Sequence, residues 1–333
     1  TTSATMEHRA VPRLGRDLSV VGLGCWQLGA DWGDVPQERA VAILEAAADA
    51  GVTFLDTADV YGDGRSERLV GAFVHGRGRG RFTVATKMGR RADPHTSEQF
   101  TPDNLRRWND RSRELLGDDT LDLVQLHCPP TPVYSDQEVY DALDTLVQEG
   151  AIRHYGVSVE RTDEALAAIA RGSTATVQII LNAFRLKPLD AVLPAAKEAG
   201  VGVIARVPLA SGLLSGRYTT ETRFAADDHR SYNRGGEAFD VGETFSGVDF
   251  QRGLEAVREF AGLLPDGVTT AQAAIAWIIA QDGVSTVIPG ARSVEQVRGN
   301  ASAADTGDLG REIDAGVRRI YDAYFRADIH PRW

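Results

Sequence analysis

The 333-residue chain has only two cysteines, Cys25 and Cys128, too few for a disulfide framework and without metal-ligand spacing. They read as two half-buried thiols in a reducing compartment, and no metal is expected. No apolar run approaches the ~20 residues that a membrane span requires, which argues against an integral membrane protein. Thr1 to Arg9 lack the basic start and apolar stretch of a secretory signal, so the expected address is cytoplasmic. A basic stripe is missing too: net charge is −11 and the arginines are scattered, which argues against a nucleic-acid partner. Lysine is scarce. Of the 36 basic residues only Lys87, Lys187 and Lys197 are lysines, so a lysine kept against that bias points to a job that arginine cannot do, such as presenting a compact ammonium with an adjustable proton affinity. Lys187 and Lys197 sit in polar surroundings that read as solvated. Lys87 does not.

The composition is otherwise that of a globular protein, with 43% hydrophobic and 25% charged residues. Short apolar runs alternate with amphipathic stretches. The runs are Ser19 to Gly24, Thr53 to Asp56, Phe82 to Lys87, Leu121 to His127, Ile152 to Ser158, Thr176 to Ile180, Gly202 to Val207 and Thr286 to Pro289. They are nearly continuous in apolar residues, as strands buried on both faces should be. Between them, Gln37 to Ala50, Pro102 to Leu116, Asp136 to Gln148, Thr162 to Arg171, Asp190 to Ala199 and Thr270 to Gln281 have helical periodicity, several opening on Asp or Thr. Eight such units predict a parallel (β/α)8 TIM barrel, one domain over residues 1–333. Met6 to Val20, with Pro12 and Gly15 between two short extended runs, predicts a β-hairpin plugging the barrel floor. The rhythm breaks from Ala210 to Asp249, a long loop after strand 7, and loops of that length are usually functional.

In such a barrel the active site is built at the strand C-termini. Asp56 ends TFLD, Lys87 ends FTVATK, His127 ends LDLVQLH, and Tyr61 follows Asp56 in DTADVYG. Singly each has a structural explanation: a cap, an ion pair, a core histidine, loop packing. Together they divide a task. A buried lysine beside a tyrosine favours the phenolate, lowering a phenol pKa from ~10 toward the range of a general acid, and an adjacent Asp keeps the ammonium fixed. A neutral His can hydrogen-bond a carbonyl oxygen near Tyr61.

On LDTADVYGDGRSERLVG, VATK, LVQLH, HYGVS, VIARVPLASGLLSGR and VIPGARSVEQVRGN, in that order along almost the whole chain, the sequence resembles the aldo-keto reductases. The resemblance implies the barrel, the tetrad Asp56, Tyr61, Lys87 and His127, and NADPH/NADP as cofactor. It also places Ser158 and Gln178 at the nicotinamide carboxamide, and the segment from Pro208 to Gly216, with Leu209, Ser211 and Leu213, together with Arg217, around the pyrophosphate. Gly290, Arg292, Ser293, Gln296 and Asn300 match the adenosine end, where a planar cation at a helix start suits a 2′-phosphate. Trp26 and Arg206 are further candidates for clamping the ring. The Gly22 to Gly29 run, GLGCWQLG, lacks the spacing and following acid of a dinucleotide fingerprint and is read as the first barrel strand.

Four positions depart from the family pattern: Val159 replaces an Asn, Leu181 a ring-stacking aromatic, Val207 a serine and Gly299 an acid. They leave the reduction chemistry intact and bear on the tightness and orientation of cofactor binding, with Val159 and Leu181 predicting a weaker grip on the nicotinamide. The expected reaction is reduction of an aldehyde or ketone, with sugar-like and secondary-metabolite carbonyls among the candidates. Trp26, Trp32, Phe224 and Tyr232, with Phe239 and Phe245, are candidates to line the substrate pocket. The alternatives are a cofactor-binding regulatory subunit with little turnover, against which the complete tetrad argues, and a barrel enzyme of other chemistry, such as a phosphate-binding isomerase.

Overall fold

The computed structural model describes residues 5–29, 35–217 and 249–333. A hairpin of β1 (His8–Val11) and β2 (Arg16–Ser19) pairs antiparallel, as its turn residues imply. Eight parallel strands follow: β3 (Leu23–Gly24), β4 (Phe54–Asp56), β5 (Thr83–Met88), β6 (Leu121–His127), β7 (Ile152–Ser158), β8 (Thr174–Ile180), β9 (Gly202–Arg206) and β10 (Thr286–Val287). Each pairs with the next in sequence, from β3 round to β10. Parallel bridges Val21 to Val287 and Gly24 to Gly290 bring the last strand back against the first, giving the (β/α)8 barrel. The GLGCWQLG segment is thus the first barrel strand followed by a helical turn, Trp26–Gly29.

Helices α1 (Gln37–Asp49), α2 (Arg65–Arg77), α3 (Pro102–Leu116), α4 (Gln137–Gln148), α5 (Thr162–Ile169) and α6 (Val192–Ala199) cover the outside together with α7 (Phe250–Gly262), α8 (Thr270–Ile279), α9 (Val294–Ser302) and α10 (Arg311–Tyr324). Thr101, Asp136 and Thr269 cap α3, α4 and α8 with side-chain oxygens, satisfying first-turn N–H groups. In α10 the buried residues Ile313, Gly316, Val317, Ile320 and Tyr321 recur at i, i+3, i+4, i+7 and i+8, the stripe of a helix lying on a core.

Two apolar clusters form. The larger fills the layer between strands and helices; the smaller joins Val11, Leu14 and Leu18 of the hairpin to Phe54, Ala85, Leu123, Ala175, Ile204 and Ile288 inside the barrel. The hairpin therefore plugs the floor. Arg9 donates to the carbonyls of Ile279 and Val284 at 2.8 and 2.7 Å, tying the plug to its rim. Both cysteines are buried, at 0% and 8% exposure, rather than half-buried. No helix among the described residues is long and apolar enough to cross a membrane.

Candidate functional site

Strand side chains alternate between faces, so a residue two positions after a floor residue also points inward, one layer higher. Phe54 is followed by Asp56, Ala85 by Lys87, Leu123 by Gln125 and then His127, and Ile204 by Arg206. Strand period alone thus lifts a polar layer above the apolar floor, at the C-terminal end of the barrel. Ser158 and Gln178, paired in register on β7 and β8, stand at the same end.

Lys87 is the centre of that layer. It is 1% exposed, and its Nζ donates to Asp56 Oδ2 at 2.6 Å, to the Thr57 carbonyl at 3.1 Å and to the Tyr61 hydroxyl at 3.1 Å. Burial pushes the ammonium toward deprotonation, but the charge of Asp56 and the hydrogen bonds to Asp56 and the Tyr61 hydroxyl outweigh it and hold the lysine pKa above its ordinary value. Lys87 stays charged. Asp56 Oδ1 is occupied as well, by the side-chain amides of Gln125 at 3.0 Å and Gln178 at 2.9 Å, and Gln178 also bonds Gln125 Oε1 at 2.9 Å. Every oxygen of the carboxylate that orients Lys87 is thereby held.

Tyr61 opens a tight turn, Tyr61–Gly64, between β4 and α2. Gly62 has φ +62, and a Cβ there would collide with the Gly29 carbonyl, so only glycine lets the loop lie this close to the first strand's turn. Trp26 stacks on Tyr61 at 6.3 Å between ring centroids, and His127 meets it edge-on at 6.1 Å. Burial, followed by the positive charges of Arg90, Lys87 and Arg206, holds the His127 pKa well below its ordinary value. The ring is neutral. Its Nδ1 is buried without a hydrogen-bond partner among the described residues, which favours the tautomer with the proton on Nε2.

The segments matched to a cofactor lie at the same end. Ser158 is 1% exposed, and its carbonyl accepts from Tyr134 Oη at 2.9 Å; Arg206 reaches across to the Val159 carbonyl at 3.0 Å. After β9, Val207, Ala210 and Ser211 have φ of 54, 51 and 56, left-handed backbone that is rare outside glycine and is an outlier for a β-branched residue. Pro208 and Leu209 lie within that turn, Asn182 pins it through the Val207 carbonyl at 2.9 Å, and buried Leu213 anchors its exit. Gly216 packs so closely that a Cβ would stand 2.6 Å from Thr270 Oγ1, and Arg217 is the last described residue before the long loop.

Beyond β10, Ser293 Oγ caps α9 by accepting from the Gln296 N–H at 3.1 Å, Gln296 Oε1 accepts from the Arg292 N–H at 2.7 Å, and Asn300 donates to the Gly290 carbonyl at 3.2 Å. These three side chains shape the turn that sets Arg292 at the start of α9. The departures at Val159 and Leu181 lie elsewhere than an open mouth: both side chains are 0% exposed and belong to the larger apolar core. Trp32, Phe224, Tyr232, Phe239 and Phe245 fall outside the described residues.

Sequence reasoning missed Gln125 as a partner of Asp56. The signal was present, since Gln125 lies two residues before His127 on the same strand face, but a polar residue inside an apolar run does not say what it will bond. Arg90 was missed too. It follows β5, forms an ion pair with Glu160 at 3.6 Å and adds its charge beside His127.

The model of the Aldo/keto reductase family matches residues 20–314. Aldo-keto reductase yakc [NADP(+)] of Schizosaccharomyces pombe is 29% identical over 328 residues, covering 95% of this chain and 92% of that protein. Glycerol dehydrogenase AKR11B4 from Gluconobacter oxydans superimposes with a TM-score of 0.78 at 29% identity, covering 96% of both chains. An aldo-keto reductase from Klebsiella pneumoniae, solved in complex with NADPH, gives 0.69 at 27% identity and the same coverage of each chain. With its strand-end polar layer in place and a family match over most of its length, the chain belongs to the aldo/keto reductase family.

Proposed function

We propose that the protein reduces the carbonyl of a small aldehyde or ketone with NADPH, and that Tyr61 donates the proton. The observation that carries the reading is the buried Lys87 Nζ joined both to Asp56 at 2.6 Å and to the Tyr61 hydroxyl at 3.1 Å, with neutral His127 edge-on to the same ring. When bound, the reduced nicotinamide supplies the hydride that attacks the carbonyl carbon. His127 holds the carbonyl oxygen through Nε2–H and polarises it. Tyr61 Oη gives its proton to that oxygen as charge develops there, and the Lys87 ammonium stabilises the phenolate left behind. Asp56, fixed by two glutamine amides, keeps the ammonium in place.

The residues present fit such a cofactor. The left-handed turn at Ala210, Ser211 and Gly212 resembles the backbone concavities that accept anions, and Arg292 adds a planar cation at the start of a nine-residue helix, suited to a 2′-phosphate. Ser158, Gln178, Arg206 and Trp26 would border the nicotinamide. NADPH-bound and NADP(+)-dependent relatives support the same choice.

The test is Tyr61→Phe, assayed by loss of reduced-nicotinamide absorbance over a panel of aldehydes, ketones and sugars. Turnover should fall by at least ~100-fold, the lower end of general-acid contributions, with NADPH affinity little changed. Near-normal reduction by this variant would remove Tyr61 from the role.

A further inference from the structure

On the side of the Tyr61 loop that faces the helices lies a second polar cluster, with no part in the proton or hydride transfer. Asp59 is 0% exposed, and neither carboxyl oxygen meets a partner with hydrogen-bond geometry among the described residues, although the Val60 N–H lies close enough to steady its charge. Glu67, on α2, is equally buried; its Oε2 accepts from Thr86 Oγ1 at 2.8 Å while Oε1 has no partner there. From α3, Ser112 lies close enough to Glu67 to steady its charge, yet its hydroxyl meets no partner with hydrogen-bond geometry. Asn109, one turn earlier on the same buried stripe and 1% exposed, has both amide atoms unpartnered as well. Buried polar groups are normally satisfied, so unsatisfied oxygens on two facing acids, Asp59 and Glu67, mark a feature of the loop.

The loop backbone is tied to this cluster and to the catalytic layer at once. Asp59 N–H donates to the Lys87 carbonyl at 3.2 Å, and the Asp59 carbonyl accepts from Arg111 of α3 at 3.4 Å. Two residues on stands Tyr61. An ionised, unpartnered carboxylate is costly to bury, and two together are worse, so the stable arrangement keeps Asp59 neutral.

We propose that Asp59, in its neutral form, is a positioning residue for Tyr61, and that its ionisation loosens the loop and lowers turnover on the alkaline side. This rests on the Tyr61 reading above. The charges facing Asp59 are Glu67 from α2, Arg111 from α3 and Arg91 from the segment after β5. Burial first, then the charge of Glu67, pushes its carboxyl up to about 7 against the pull of the two arginines. Both arginines are already engaged by the exposed Asp63, at 2.5 and 3.1 Å, a residue that Arg68 also faces. Once ionised, Asp59 must draw them away from Asp63 or turn toward water, and either movement shifts the segment that presents Tyr61 to Lys87.

The test compares wild type with Asp59→Asn, which keeps the shape and cannot ionise, by two readouts. The first is the ratio of turnover at about pH 8.5 to that at about pH 6, either side of the titration, which should be at least ~3-fold higher in the variant. The second is thermal stability without substrate. A carboxyl whose pKa is raised on folding contributes stability that is complete below its unfolded value and is lost as pH rises through the folded one. The melting temperature of wild type should therefore fall relative to Asp59→Asn between about pH 5 and about pH 8.5. An unchanged turnover ratio overturns the positioning role, and a melting difference that stays flat with pH overturns the neutral Asp59. Should Asp59→Asn not fold, Asp59→Ser, smaller and equally uncharged, carries the same comparison. If Tyr61→Phe retained full turnover, the melting comparison would still report on Asp59 separately.

Discussion

Among the three lysines, only Lys87 is enclosed, with Lys197 61% exposed on an ion pair with Asp282. The contrast agrees with the inference from composition: where the chain uses arginine nearly everywhere, it keeps a lysine where three acceptors converge on one nitrogen. A guanidinium spreads its donors over a plane and cannot put one charge within 2.6 Å of Asp56 and 3.1 Å of both Tyr61 and the Thr57 carbonyl. Lys87→Arg should therefore lower turnover by at least ~100-fold although formal charge is unchanged, as read by steady-state kinetics. Activity within a few-fold of wild type would mean that the point charge at this position does not matter. Residue identity made Lys87, Asp56 and His127 legible in the sequence because each ends an apolar run. Asp59 and Glu67 were not legible, since their burial depends on α2 and α3 closing over the loop.

At the scale of the element, the departures at Val159 and Leu181 show how far a position can be judged without its surroundings. From sequence they looked like lost contacts to a nicotinamide; in the fold both side chains are sealed in the layer between strands and helices. Restoring an aromatic at Leu181 must then enlarge a packed core. Leu181→Tyr is expected to cost ~1–3 kcal/mol in urea unfolding, with no tightening of NADPH in a fluorescence titration. Tighter binding at unchanged stability would show that the side chain turns into the mouth. Most strands were legible to within one or two residues, with β6 and β7 matching their apolar runs end to end, but of the first run, Ser19 to Gly24, only Leu23–Gly24 is strand and Ser19 closes the hairpin. Helix α2 was less so, because Arg65–Arg77 carries glycines and arginines among its apolar positions and the loop before it belongs to the site.

For the whole molecule, the barrel is closed at its floor by its own N-terminal hairpin. Leu18, 0% exposed, packs with Val11 and Leu14 against inward residues of five strands and Ile288 just past β10. Leu18→Ala would leave a cavity that neighbours on several strands cannot collapse into, so it should cost ~2–5 kcal/mol of unfolding free energy. Turnover per folded molecule should hold, because the polar layer stands above the plug. Denaturant titration beside an activity assay at low temperature separates the two, and a loss of turnover without a loss of stability would mean the floor sets the geometry of the site.

The sequence by itself determined the strand and helix rhythm and the parallel barrel, and put Asp56, Lys87 and His127 at strand ends, because strand periodicity and burial on both faces are local consequences of residue type. Tertiary structure decided the rest. Which amides hold Asp56, how the Gly62 turn fits beneath Gly29, and whether Asp59 carries a charge all depend on groups far apart in the chain, and burial and hydrogen bonding between such groups are set only when the barrel and its helices pack.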